Sequence, residues 1–125
     1  MVDLGGEGRH PRAWNLNPRT TKTFGPQAGQ PIPRLIVARG EALPLRDASV
    51  DVLIAERTPL RMATLREIER VAKPSATIIL RHVEGPLGDP HRVALAMLKG
   101  RTHRGTSTIG SHTVCESIIE LGREL

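Results

Sequence analysis

VDVLIAERTPLRMATLREIERVAKPSATIILRHV, residues 50–83, is the stretch on which the fold turns. Val50 to Glu56 is a nearly continuous apolar run of strand length. After Pro59, ATLREIERVAK places Leu65, Ile68, Val71 and Ala72 on one helical face, with Thr64 and Glu67 spaced as a capping box and Glu69 and Lys73 spaced for an i,i+4 ion pair. Pro74 predicts the helix stop, and Ala76 to Val83 is apolar again. Strands apolar on both faces are those of a buried parallel sheet, and the helix between them predicts a right-handed strand–helix–strand crossover.

Working outward, RLIVA (34–38) adds a strand of the same kind, and MVDL (1–4) a short one that runs into Gly5 and Gly6, residues free to take a sharp exit. Ala13 to Leu16 predicts another short strand, ended by Asn17 and Pro18. Residues 18–33, PRTTKTFGPQAGQPIP, have no helical or strand period and read as a flexible loop. Beyond a linker holding Gly85, Pro86, Gly88 and Pro90, PHRVALAMLKG predicts a helix of two to three turns closed by Gly100. Alternation over 102–109 and 113–121, joined by GSH, predicts an antiparallel hairpin on a sheet edge. The expectation is one α/β domain over residues 1–125 with a mostly parallel sheet.

Composition bounds the function classes. With 125 residues the chain has room for a single core, and 38% hydrophobic with 25% charged residues is a globular balance. The net charge of +5 makes an anionic partner such as nucleic acid, phosphate or a charged surface one reading; a solvated basic exterior is the other, and no basic run marks a nucleic-acid arm. Cys115 stands alone, which excludes an internal disulfide and fits a reducing, cytoplasmic setting. No apolar run approaches the roughly 18 residues that span a bilayer, so no membrane partner is expected. The histidines lack metal-ligand spacing, so no metal site is expected.

Residues 40–83 resemble the middle of class I S-adenosylmethionine-dependent methyltransferases: Glu41-Ala42-Leu43-Pro44-Leu45 is similar to the family's AExLPF, Asp47 to Val52 to its DxSFDVV, and Glu67 to Pro74 to its xEixRVLKP. VDLGGEG (2–8) is similar to the first strand and glycine loop, and Asn15 to Pro18 to the DxSP at the second strand end. The resemblance implies a Rossmann-like methyltransferase fold, here reduced because the helices that normally follow the first and second strands are missing. It also implies S-adenosylmethionine as cofactor and methyl transfer as activity. Asp3, Gly5, Gly6 and Gly8 would line the methionine end and Asn15 would bond the ribose, with Glu41, Ala42 and Glu56 completing the cofactor set. Glu7 stands where a loop glycine is usual, and Arg39 where the family has an acidic residue for the adenine amine.

In an open parallel sheet, ligand binds outside the carboxyl ends of the strands, so Gly5 to Gly8, Asn15, Arg39 to Ala42 and Glu56 to Pro59 are expected to converge there. Glu56 is read either as a cofactor or substrate contact or as half of a solvated pair with Arg57. Arg57 and Arg61 are read as contacts to an anionic substrate or as plain surface. His10 and His82 are candidate general bases set against structural roles, and no catalytic residue is assigned. Cys115 and Trp14 are placed in the core, and the segment around Thr20 to Thr23 is read as a disordered connector rather than a phosphate loop. Two other functions stay open: a non-catalytic module binding nucleic acid or protein, and an effector domain from the end of a longer chain. The lost helices further predict that a homodimer or loop 18–33 covers the sheet face they leave.

Overall fold

The computed structural model describes residues 1–56 and 58–123. The chain runs β1 (Val2–Leu4), β2 (Trp14–Asn17), β3 (Leu35–Val37), β4 (Val50–Glu56), α1 (Met62–Val71), β5 (Ala72–Val83), α2 (Arg92–Met97), β6 (Gly100–Ile109) and β7 (His112–Leu121). Among the described residues the strands form one sheet ordered β3-β2-β1-β4-β5-β7-β6. Pairing is parallel from β3 to β5 and antiparallel at β7 and β6. The expected hairpin is present, but only β6 is an edge; β7 sits inside the sheet.

One sheet face carries the core. Leu4, Leu16, Leu53, Ala55, Ile78, Leu80 and Ile119 cluster with Leu65, Ile68 and Val71 of α1 and Ala94 of α2. Fully burying side chains such as Leu65 and Ile68 contributes about 1.5–3 kcal/mol each. Alternation puts Asp3, Asn15, Glu56 and Arg81 on the opposite face.

Several expectations are corrected. The capping box does not form: Arg61 is the N-cap without a side-chain bond, Thr64 is buried, and Glu67 accepts instead from Leu43 N at 2.8 Å and from Arg70. Lys73 pairs with Asp51 rather than Glu69, because Ala72 has already turned extended and carried Lys73 off the helix. α2 is six residues long, and Gly100 opens β6 instead of capping the helix. Trp14 is 46% exposed, with the Arg34 guanidinium 4.6 Å from its ring centroid; β2 lies one strand from the edge, and no helix follows it to cover the ring. Cys115 is buried as expected.

Loop 18–33 folds back on itself as a flap. Lys22 N donates to Gln30 O and Ile32 N to Thr20 O, with a bridge between Thr21 and Pro31. Ile32 is buried at its base. No helix among the described residues is long and apolar enough to cross a membrane.

Candidate functional site

The carboxyl ends of β1, β2, β3 and β4 open onto a cleft of about 690 Å³, within the range of small-molecule sites. Its turn side is set by the exit from β1. Gly5 has φ +70°, and a Cβ there would stand 2.1 Å from Thr58 Oγ1, so glycine is required by both conformation and space. Thr58 Oγ1 in turn donates to Leu4 O at 2.8 Å, which ties the segment after β4 to the end of β1.

The turn's amides point into the protein. Gly5 N donates to Leu16 O, Gly6 N to Asp3 O and Gly8 N to Asn15 Oδ1. Asn15 is buried and also donates from Nδ2 to Pro33 O at 2.8 Å. Of the residues assigned to the cofactor, Gly5, Glu41 and Glu56 line the cleft, whereas Asp3, Gly6, Gly8, Asn15 and Ala42 are not among its lining residues. Asn15 fails to reach it because β2 runs one residue further than expected. Asn17, on the same strand face, takes the rim position, donating to Gly6 O and accepting from Arg19 N.

Glu56 is caged. His10 Nε2 lies 2.7 Å from its Oε1, Arg81 donates to the same oxygen at 3.0 Å, and Arg9 donates to Oε2 at 3.1 Å. Arg81 also bonds Glu116. Burial pushes the Glu56 carboxyl up, but the His10 hydrogen bond and the Arg9 and Arg81 charges outweigh it and hold the group below its usual range. These contacts fasten the segment after the glycine turn, where no helix follows, to the end of β4.

Asp3 lies beneath this cage, fully buried, with neither carboxylate oxygen bonded. Burial raises its pKa to about 6, against the opposing pull of His10.

The flap closes the cleft's far side. Glu7 accepts from Thr23 N at 2.9 Å and from Thr23 Oγ1, which brings Phe24 to the lining. The residue that departs from the glycine pattern is thus the flap's anchor. Arg61 lines the cleft with a loose 3.7 Å pair to Glu41; Arg57 lies outside the described residues. His82 is not a lining residue; its Nε2 meets Thr58 O at 2.7 Å and its Nδ1 meets His91. Sequence reasoning did not single out Arg9 or Asn17. The strand parity shared by Asn15 and Asn17 was the available signal for the second; nothing local marks the first.

Residues 8–80 match the family model described as methyltransferase domain. Among solved structures, a SAM-dependent methyltransferase of Methanosarcina mazei superposes with a TM-score of 0.65 at 11% identity, covering 96% of this chain and 90% of that one. Another from Thermotoga maritima gives 0.59 at 16% identity, over 95% and 81% of the two chains. One from Aquifex aeolicus gives 0.54 at 16%, over 94% and 80%. At these identities the likeness is one of fold. No curated protein matches the sequence.

Proposed function

Because the chain belongs to the class I S-adenosylmethionine-dependent methyltransferase family, we propose that it binds S-adenosylmethionine in the strand-end cleft and transfers a methyl group to an acceptor held there. The observation that carries this reading is the joint placement of Gly5, Glu41 and Glu56 around one cleft at the carboxyl edge of the parallel strands.

The residues present fit the group on one side. Gly5 lines the cleft on the turn side in a backbone conformation that glycine favours, while the unbonded Asp3 carboxylate is fully buried and outside the lining. The wall formed by the ends of β2 and β3 fits less well, because Arg39 offers no acceptor to an adenine amine and Asn15 is spent inside the fold.

When bound, the cofactor supplies a methyl group already activated on a sulfonium, so the chain's task is to hold and orient. Glu56 keeps the turn and β4 in register through Arg9 and His10, Thr58 ties the rim to β1, and Glu7 holds Phe24 over the opening. The same reading includes a single domain over residues 1–125 acting in the cytoplasm. It also includes a homodimer over the face opposite α1 and α2, where Ile79 and Ile118 are only partly buried.

Calorimetric titration with S-adenosylmethionine and S-adenosylhomocysteine, repeated on Gly5→Arg, tests it. Micromolar binding lost in the variant supports the reading; no heat up to millimolar ligand removes it in favour of a non-catalytic module.

A further inference from the structure

The three carboxylates that line the cleft are all engaged: Glu7 by Thr23, Glu41 by Arg61, and Glu56 by His10, Arg9 and Arg81. Arg9 is therefore spent, and Arg61 is drawn to Glu41 by a loose pair. Arg19 and Arg39 also line the cleft, and their guanidinium groups make no hydrogen bond or ion pair among the described residues.

Asn17 of β2 pairs in parallel register with Val37 of β3, and Arg19 and Arg39 each lie two residues beyond that pair, in the segments that leave the two strand ends. Both backbones are held. Arg19 N donates to Asn17 Oδ1 at 2.9 Å, Ala38 N donates to Asn17 O, and Ala42 N closes a turn on Arg39 O. Two unpaired guanidinium groups lining one cleft leave positive charge there that a bound anion would neutralise.

We infer that Arg19 and Arg39 form an anion subsite on the β2–β3 wall of the cleft, built to take a phosphate group carried by a nucleotide-sized ligand. Their planar donors suit a phosphate's oxygens, and the cleft has room for a nucleoside beside them. The inference rests on the cleft being the ligand site, but not on methyl transfer. The phosphate belongs either to the acceptor or to a nucleotide standing where the cofactor's adenosine half would lie.

The test compares adenosine 5′-monophosphate, adenosine and inorganic phosphate by calorimetry on the full chain, in low salt, with Arg19→Gln and Arg39→Gln beside the wild type. We expect the monophosphate to bind at least ~10-fold more tightly than adenosine, and each variant to lose most of that preference while keeping its melting temperature, since both side chains are exposed. Inorganic phosphate should bind weakly and compete. S-adenosylhomocysteine then separates the sources: a complex holding both ligands assigns the phosphate to the acceptor, and mutual displacement assigns it to a nucleotide in the cofactor's place. Equal affinity for monophosphate and adenosine, binding of neither, or variants that keep the preference overturns the inference. Loss of S-adenosylhomocysteine binding alone counts against the cofactor reading and leaves this one standing.

Discussion

His82 Nδ1 lies 2.9 Å from His91 Nε2, with the two rings edge to face at 82°. With both rings neutral, their neighbours settle every proton. His82 Nε2–H must donate to Thr58 O at 2.7 Å, so its Nδ1 accepts from His91 Nε2–H; His91 Nδ1 then accepts from Ser117 Oγ–H at 2.8 Å, and Arg104 Nε–H donates to Ser117 Oγ. Arg104 also grips Asp89, whose Oδ1 accepts from His91 N. The chain of bonds links the cleft rim at Thr58 to β5, α2, β7 and β6, and it cannot close with both imidazoles protonated, because His82 Nδ1 and His91 Nε2 would then face each other as donors.

Acid should therefore unfasten this end of the molecule. Burial lowers the His82 pKa, and burial with the His82 neighbour lowers that of His91 to about 4. Groups depressed in the folded state contribute stability that is present above pH 6.5 and is lost as pH falls towards 4. At ~1.4 kcal/mol per unit the His91 contribution is about 3 kcal/mol. Melting temperature against pH should show this acid limb in the wild type, and His91→Gln should flatten it.

Asp3 should act with the opposite sign. Its pKa is raised from 3.8 to about 6, so the stability it allows is full below pH 3.8 and falls away as pH rises through 6. Asp3→Asn should make the ligand-free protein more stable by about 1–2 kcal/mol at pH 7.5, less than the full relief because a buried amide also lacks partners, and the gain should vanish near pH 4. Urea unfolding at the two pH values measures the difference.

Glu56→Gln should loosen the turn. Removing the charge that gathers Arg9, His10 and Arg81 weakens charge-assisted bonds worth about 1–3 kcal/mol each. Amide hydrogen exchange should quicken over residues 6–12, while the core of α1 stays protected.

Gly5→Ala should cost more than a surface change, because it adds about 1–2 kcal/mol of left-handed strain to a Cβ contact at 2.1 Å with Thr58 Oγ1. Thermal unfolding of Gly5→Ala in the wild type and in a Thr58→Ala background checks this: in the second background, which has already lost the Thr58–Leu4 bond, the substitution should cost the strain alone.

Glu7→Ala should free the flap. Thr23 loses both of its bonds to the turn, and limited proteolysis within residues 19–31 should accelerate without a matching fall in global stability.

Periodicity and apolar runs were enough to read β4, most of α1 and the Ala76–Val83 part of β5, because their pattern records which face each element buries; that α1 stops at Val71 and β5 already begins at Ala72, with Pro74 inside it, was not legible. The ordered sub-motifs from Glu41 to Pro74 were likewise enough to read the family, which the match over residues 8–80 shows. Tertiary structure decided what single side chains do. Asn15 and Asn17 are indistinguishable locally, and only the length of β2 sends one inward to Gly8 and Pro33 and the other to the cleft rim. Glu67 was expected to close a capping box with Thr64; it bonds Arg70 of its own helix instead, and the 40–45 segment folding past it supplies Leu43 N as a second donor. Glu7, Glu56 and the His82–His91 pair owe their roles to residues between 9 and 47 positions away in sequence. Short-range pattern carries the energy of burial, which every residue of an element shares; hydrogen bonds and ion pairs are directional and pairwise, so they exist only once the sheet order has brought their two ends together.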